Sequence, residues 1–384
     1  MPEHAFIPFA LPDIGDREVE AVAEAMRTGW VTTGPKVREF EEKFAAAISP
    51  DVIAVAVNSA TSGLHLALEA LGIGPGDEVL VPTWTFTATA EVVRYLGANP
   101  VLVDVERDTL NVDLADAAEK VTSRTRAIMP VHFAGHPVDP SALADFARSA
   151  DLAVVEDAAH AFPAAAGGRP VGGHGSAATV YSFYATKTIT TGEGGMVLTT
   201  DPALAARMRT MRLHGISRDV FDRYRSSSKG SWRYEVVAPG FKYNLPDPAA
   251  AMGLVQLERA VEMRDRRAAI AHHYLENLSD LSLSLPLNPS DDVEHAWHLF
   301  VVRTPVGADR DDFIEAMTAA GVGTSVHFIP LHLHPYWRDL TGVTPDQLPV
   351  ASAEFERVVS LPIYPSMTDE HVERVVDAVR EVMR

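Results

Sequence analysis

The stretch VIAVAVNSATSGLHLALEALG, residues 52–72, joins an apolar run of strand length to a segment that is apolar at helical spacing. The same order recurs over most of the first 200 residues, with strand-like runs at EVLVP (78–82), PVLVDV (100–105), RAIMPVHF (126–133), LAVVED (152–157) and ATVYSF (178–183). Short β-branched runs that alternate with amphipathic helices are typical of βα units. Strands this apolar are usually buried on both faces. We therefore predict an α/β fold with a mostly parallel sheet between helices.

The pattern changes after about residue 250. Residues 250–278 form a long helical pattern, which is followed by the strand-like run HAWHLFVVRT (295–304) and a final helical pattern at 369–384. Such a mixture is typical of a separate α+β unit. We predict a large α/β domain over residues 1–250 and a smaller C-terminal α+β domain over residues 251–384.

The composition excludes several classes of function. The formal net charge of −19 opposes binding to the phosphate backbone of a nucleic acid. The absence of cysteine excludes disulfides, thiolate metal sites and thiol nucleophiles. The start of the chain lacks the basic and apolar regions of a signal peptide, and no apolar run reaches the length of a membrane span. We expect a cytoplasmic protein that binds neither nucleic acid nor membrane, and no metal, since no metal-ligand motif occurs.

Polar residues follow three of the predicted strands, where ligands bind in parallel α/β sheets. The turn at residues 58–63 carries Thr61, Ser62 and a glycine before a helix. Backbone N–H groups at such a turn can cradle a phosphate, although Ser and Thr are equally usual as plain helix caps. Asp157 ends another strand, where it can face a cofactor or only solvate the strand end. His160, three residues on, is compatible with a site or with the core.

Lys187 follows the strand-like run at 178–183 and precedes the Thr- and Gly-rich segment TITTGEGG (188–195). Desolvation at such a position lowers the pKa of a lysine, as a Schiff-base nucleophile requires. A solvated surface lysine is the commoner alternative. The sequence contains no dinucleotide-binding G-x-G-x-x-G after its first strand, no phosphate-binding Walker A motif and no G-x-S-x-G nucleophile turn.

Seven segments resemble, in order, the DegT/DnrJ/EryC1/StrS family of nucleotide-sugar aminotransferases. They are GWVTTGPKVREFEEKF (29–44), VPTWTFTATA (81–90), VEDAAHAF (155–162), YSFYATKTITTGEGGMV (181–197), PGFKYNLPDPAAAMGLVQLE (239–258), HAWHLFVV (295–302) and GTSVHFIPLHLHPYW (323–337). The resemblance runs from about residue 7 to the C-terminus. It implies the fold type I of pyridoxal-phosphate (PLP) enzymes, which is aspartate aminotransferase-like with a seven-stranded sheet, and a homodimer with shared active sites.

The resemblance also implies roles for individual residues. Lys187 matches the Schiff-base lysine, Asp157 the acid that pairs with the pyridine nitrogen, and His160 the residue near the phenolic oxygen of the cofactor. Thr61, Ser62 and Ser182 match residues that bind the cofactor phosphate, and Trp84, in preference to Phe86, matches the residue that stacks on the ring. Asn244 matches an asparagine that reaches the phosphate of the neighbouring subunit's cofactor. His327 and Trp30 lie in segments that match the substrate-binding edge of the site.

The implied reaction moves an amino group from glutamate to the C4 keto group of a nucleotide-linked sugar. Many family members carry Gln where this chain has His160, and the enzyme that forms UDP-4-amino-4-deoxy-L-arabinose carries His, so the likeness is greatest to C4 aminotransferases. Amination at C3 stays open, as do the nucleotide (UDP or dTDP) and the sugar. Related dehydratases replace the Schiff-base lysine with His, and a non-catalytic regulator would have lost Lys187 or Asp157; both alternatives are weak here.

Overall fold

The computed structural model describes residues 5–216 and 234–384. The strands of these residues are β1 (Ile53–Val57), β2 (Glu78–Pro82), β3 (Asn99–Val103), β4 (Thr125–Ile128), β5 (Ala153–Asp157), β6 (Ala165–Ala166), β7 (Arg169–Pro170), β8 (Ala178–Ser182), β9 (Gly195–Thr199), β10 (Val293–Glu294), β11 (Phe300–Arg303) and β12 (Val358–Leu361).

The described helices are α1 (Asp16–Arg27), α2 (Pro35–Ile48), α3 (Ala60–Ala70), α4 (Ala88–Tyr95), α5 (Leu114–Glu119), α6 (Pro140–Ala150), α7 (Pro202–Met211), α8 (Asp247–Leu278), α9 (Arg310–Ala319), α10 (Pro335–Thr341), α11 (Pro349–Phe355) and α12 (Asp369–Val382). Short 3-10 turns lie at Phe133–Gly135, Leu331–Leu333 and Pro345–Gln347. None of these helices is long and apolar enough to cross a membrane.

Seven strands form one central sheet in the order β1-β9-β8-β5-β4-β2-β3. The pairs among β8, β5, β4, β2 and β3 are parallel, whereas β9 runs antiparallel to both β8 and β1. The predicted mostly parallel sheet of seven strands is therefore confirmed. Because the parallel strands point the same way, the turns that follow β5 and β8 meet at one edge of the sheet.

Helix α3 packs against the sheet through Gly63. A Cβ atom at this position would lie 2.7 Å from a methyl group of Val180 and 2.9 Å from one of Val197. Only glycine lets the helix axis approach β8 and β9 this closely. Ser59 caps α3, since its Oγ accepts a hydrogen bond from the backbone N–H of Ser62. The first turn of α3 is thereby fixed over the end of β1.

Helix α8 connects two hydrophobic cores. Its first half places Ala250 and Leu254 in a core with Phe44 of α2. Its second half places Ile270 and Tyr274 in the core that covers the two-stranded antiparallel sheet of β11 and β12. The predicted domain boundary at residue 250 falls inside this continuous helix, and it stays a prediction.

Candidate active site

A cavity opens at the carboxyl ends of β5 and β8, next to the first turn of α3. Its volume is about 560 Å³, which suits a small organic ligand. We call it the active-site cavity. Six of the predicted site residues line it together: Thr61, Asp157, His160, Ser182, Lys187 and His327.

Lys187 is half-buried as a residue, and its amine reaches into the cavity. Desolvation lowers the pKa of Lys187 to about 8, against the opposing effect of the Asp157 charge. At neutral pH a usable fraction of the amine is therefore unprotonated, as a nucleophilic lysine requires. The turn that carries it is held by a hydrogen bond from the Lys187 N–H to the carbonyl of Tyr184, at 2.9 Å.

Asp157 ends β5 with its carboxylate in the cavity wall. Its Oδ2 accepts a hydrogen bond of 2.8 Å from the hydroxyl of Thr89, and its Oδ1 accepts one of 3.1 Å from the N–H of Ala159. Burial raises the pKa of Asp157, while these bonds and the charge of Lys187 oppose the rise. A cationic ring nitrogen placed against this carboxylate would form an ion pair that favours its charged form.

Glu156 precedes Asp157 but lies on the opposite face of β5, because successive side chains of a strand alternate. Its Oε2 lies 2.8 Å from Nε2 of His132, and its Oε1 accepts a bond of 2.8 Å from Thr179. Burial alone would raise the pKa of Glu156, but these bonds bring it below its usual value. The carboxylate of Glu156 is thus satisfied by protein side chains, and Glu156 does not line the cavity.

Three imidazoles surround the amine of Lys187. The rings of His160 and His298 are 4.3 Å apart between centroids, and Nδ1 of His327 lies 3.0 Å from Oγ of Ser360. Burial lowers the pKa of His327 to about 4 and takes those of His160 and His298 well below their usual value. All three are therefore neutral near pH 7, and Lys187 is the one cationic side chain among the described residues that line the cavity.

The predicted phosphate cradle lies at the first turn of α3. Thr61 lines the cavity, whereas Ser62 is buried behind it and donates a hydrogen bond of 2.6 Å to Oδ1 of Asn58. A Cβ atom on Gly195 would come within 2.9 Å of the N–H of Ala60. Gly195, the last residue of the GEGG segment, thus lets β9 pass directly beneath the turn.

The preference for Trp84 as the residue that stacks on a cofactor ring is not supported. Trp84 is fully buried in a core with Phe133, and its Nε1 donates a bond of 3.2 Å to the carbonyl of His327. Phe86, two residues on, is 60% exposed and lines the cavity. The side chain of Phe86 is therefore the better placed of the two for stacking.

Trp30 and Asn244 lie outside the lining of this cavity. Both bond to Thr33: Nε1 of Trp30 donates to its carbonyl at 3.0 Å, and Nδ2 of Asn244 donates to its hydroxyl at 2.7 Å. The nearby carboxylate of Asp247 accepts bonds from the N–H groups of Gly34, Lys36 and Val37 and so caps α2. Trp30 is not among the residues that line the cavity of its own chain, and the substrate role predicted for it stays a prediction. The role predicted for Asn244, in a neighbouring subunit's site, stays a prediction.

Two residues of the site were not singled out from the sequence. Thr89, in the VPTWTFTATA segment, bonds to Asp157. His298, in the HAWHLFVV segment, has its Nε2 3.5 Å from Nζ of Lys187. Both residues lie in segments that resemble the family, and a comparison of those segments residue by residue is the sequence signal that could have identified them.

Taken together, these residues fit pyridoxal phosphate. A buried amine with a lowered pKa stands near a buried carboxylate, and a capped helix N-terminus lies beside them for an anion. Nδ1 of His160 is buried with no hydrogen-bond partner in residues 5–216 and 234–384, which leaves it free for a polar atom of a ligand. Fold and site define a fold type I PLP enzyme.

The chain belongs to the DegT/DnrJ/EryC1/StrS aminotransferase family, whose model matches residues 12–380. It is 44% identical to the spore coat polysaccharide biosynthesis protein SpsC of Bacillus subtilis over 383 residues, which are 99% of this chain and 97% of that protein. The family uses pyridoxal phosphate, and the chain is a PLP-dependent aminotransferase.

Solved structures share the whole architecture. The pyridoxamine-phosphate (PMP) form of a Streptococcus pneumoniae protein superposes with a TM-score of 0.91 at 32% identity, covering 98% of this chain and 99% of that one. The sugar aminotransferase CalS13 from Micromonospora echinospora gives a TM-score of 0.87 at 32% identity, with 98% and 99% covered.

Proposed function

We propose that this aminotransferase moves an amino group from glutamate to the C4 keto group of a sugar linked to UDP or dTDP. The observation that carries the proposal is the placement of Lys187 and Asp157 in one cavity beside the first turn of α3. The sugar class is supported by relatives named for spore coat polysaccharide biosynthesis and as a sugar aminotransferase. Amination at C3 is the alternative within the same class.

Each residue has a distinct task in this proposal. The cofactor, when bound, carries the amino group and withdraws electrons from the reacting carbon. Asp157 holds a negative charge against the ring nitrogen, and Thr61 and Ser182 bind the phosphate with the N-terminus of α3. Phe86 covers one face of the ring.

Lys187 binds the cofactor covalently between turnovers and moves protons during them. Its amine takes a proton from the α-carbon of glutamate in the first half of the reaction and delivers one to C4 of the sugar in the second. The neutral imidazoles leave this amine as the group that titrates near neutral pH. Because 2-oxoglutarate leaves the cavity before the keto sugar binds there, we expect ping-pong kinetics with parallel initial-rate lines.

Two finer parts of the proposal concern assembly and location. We propose a cytoplasmic homodimer in which Asn244 reaches the cofactor phosphate of the neighbouring subunit. Mixing Lys187→Ala with Asn244→Ala chains tests this, because each mixed dimer would regain one intact site. About a quarter of all sites would then recover activity. No recovery after verified subunit exchange contradicts the shared site.

The substrate is tested by mass spectrometry of products from a panel of UDP- and dTDP-linked 4-keto and 3-keto sugars with glutamate. We expect a single amino sugar, aminated at C4, with 2-oxoglutarate released in equal amount. Lys187→Ala should lose both the product and the absorbance band of the lysine-bound cofactor. An active Lys187→Ala protein, or amination only at C3, contradicts the proposal.

A further inference from the structure

His298 lies two residues before β11, and its ring forms part of the cavity wall beside Lys187. Its Nε2 is 3.5 Å from Nζ of Lys187, at the long end of the hydrogen-bond range, and a small rotation of the flexible lysine shortens that distance. Only 6% of the residue is exposed. Its Nδ1 has no hydrogen-bond partner within the described residues.

The chemistry of the two groups fixes which atom donates. A lysine ammonium has three donors and no acceptor, so it can donate a hydrogen bond to Nε2 of His298 only when that nitrogen is unprotonated. Burial, with the positive charge of Lys187 next in effect, lowers the pKa of His298 well below its usual value. The ring is therefore neutral and carries its proton on Nδ1 when it accepts from the lysine.

The backbone of His298 is held in place by Arg267. This buried guanidinium donates to the carbonyls of Trp297 and His298, at 3.3 Å each, and to that of Ile363 at 2.6 Å. All its bonds here go to backbone oxygens, so the segment before β11 is fixed by main-chain contacts. The ring of His298 consequently has a defined position relative to the amine.

We propose that His298 is a positioning residue that accepts a hydrogen bond from the free amine of Lys187 whenever the lysine is released from the cofactor and carries a proton. The proposal rests on the role of Lys187 given above. It assigns His298 two effects. The acceptor keeps the amine near the reacting carbon, and it stabilises the protonated amine, so that the pKa of Lys187 stays close to neutral rather than falling further.

Other groups also act on this amine and must stay unchanged in a test. Those that face it or line the same cavity are Asp157 and His160 from the end of β5, His327 from the segment between α9 and α10, Arg267 from α8, and Glu193 and Tyr184 from the segments around Lys187. None of them is altered by a substitution at residue 298.

The test measures the pKa of Lys187 in the full-length protein loaded with pyridoxamine phosphate, a form in which the lysine is not bound to the cofactor. The rate of reductive methylation of Lys187 is followed by peptide mass spectrometry between pH 6 and pH 10. For His298→Leu, which removes the acceptor, we expect the pKa to fall by about one unit. In protein loaded with pyridoxal phosphate instead, the rate of the glutamate half-reaction should fall about tenfold, with the KM for glutamate unchanged.

Two polar substitutions separate positioning from packing. His298→Gln places an acceptor oxygen near the position of Nε2 and should keep the pKa of Lys187 close to that of the unaltered protein. His298→Asn ends near the position of Nδ1, does not reach the lysine, and should behave like His298→Leu. This pair gives a result even if the leucine variant does not fold.

His295 supplies a matched control in the same segment. It is also buried, but its Nδ1 accepts from the N–H of Trp297 and its ring stacks on the indole of Trp297, away from the cavity lining. His295→Leu should lower the thermal midpoint and leave the pKa of Lys187 unchanged.

The proposal is overturned if His298→Leu leaves the pKa of Lys187 unchanged, or if the Gln and Asn variants shift it equally. The labelling needs no keto sugar. A panel that yields no amino sugar, together with the expected labelling pattern, therefore counts against the proposed substrate and leaves the role of His298 intact.

Discussion

Glu156 and Asp157 are neighbouring carboxylates on one strand with opposite surroundings. Glu156 is closed off by His132 and Thr179 on one face of β5, whereas Asp157 faces the cavity with one side-chain donor, Thr89. Burial is the largest single effect on the pKa of both groups. It prevails at Asp157 and raises the pKa, whereas at Glu156 the hydrogen bonds and the nearby His132 together outweigh it and lower the pKa. A buried carboxylate is thus fully hydrogen-bonded where it serves the fold and left partly unpaired where a ligand is to complete its surroundings.

The largest effect is expected from Asp157→Asn. The amide keeps the shape of the side chain but removes the charge proposed to oppose the ring nitrogen. We expect the rate of the glutamate half-reaction to fall about 10²–10³-fold, measured by stopped-flow absorbance. The cofactor-free variant should be at least as stable as the unaltered protein, because a costly buried charge has gone. A fully active variant would show that the two carboxylates do not differ in function.

Glu156→Gln should lower the stability of the protein and leave its activity nearly unchanged, the reverse of Asp157→Asn. Loss of the charge weakens the bonds to His132 and Thr179, and we expect the free energy of unfolding to fall by about 2 kcal/mol. The same half-reaction should stay within about twofold of its normal rate, since Glu156 does not line the cavity. Urea denaturation followed by circular dichroism measures the first quantity. A fall in the half-reaction rate as large as that expected for Asp157→Asn would contradict the separate roles given to the two carboxylates.

Thr89→Val removes, at nearly constant volume, the one side-chain donor to Asp157 in residues 5–216 and 234–384. Removal of a hydrogen bond to a charged group should weaken cofactor retention about tenfold, measured by the release rate on dilution. Thr85→Val is the comparison variant: the hydroxyl of Thr85 lies 2.7 Å from that of Thr89 and acts on Asp157 through it, so we expect a smaller loss of cofactor retention. Equal losses in both variants would point to a packing effect.

The smallest effect is a difference in the pH dependence of stability of the cofactor-free protein. The folded pKa of Glu156 is below its usual value of 4.5, so its contribution to stability is present above pH 4.5 and is lost as the pH falls through the folded pKa. The folded pKa of Asp157 is above 3.8, so stability is lost as the pH rises from 3.8 through the folded pKa. The advantage of Glu over Gln at residue 156 should therefore vanish in acid. The advantage of Asn over Asp at residue 157 should grow as the pH rises from 3.8 to the raised pKa and stay constant above it. Urea midpoints between pH 3.5 and pH 8 measure both.

Much of the fold could be predicted from short-range patterns. Apolar runs separated by helical stretches indicate parallel strands, and strand ends indicate where Asp157 and Lys187 lie. The direction of β9 could not be predicted, because the residues between β8 and β9 do not reveal whether the chain turns back. Nor did the sequence distinguish Trp84 from Phe86, since both are aromatic and two residues apart in the same segment.

Contacts between distant parts of the chain account for the rest. His298 is 111 positions from Lys187, and Thr89 is 68 positions from Asp157. No local spacing relates these pairs, and only the packed structure brings them together. Family resemblance identified the segments that carry both residues, but it assigned them no role.

The continuity of α8 bears on how the molecule unfolds. At 32 residues the helix is about 48 Å long, and each half is buried in a different core. If one core unfolded alone, it would expose apolar side chains of α8 while the other core still held the rest of the helix. The two cores should therefore lose their structure in one cooperative transition, and calorimetry should record a single heat-absorption peak in place of two.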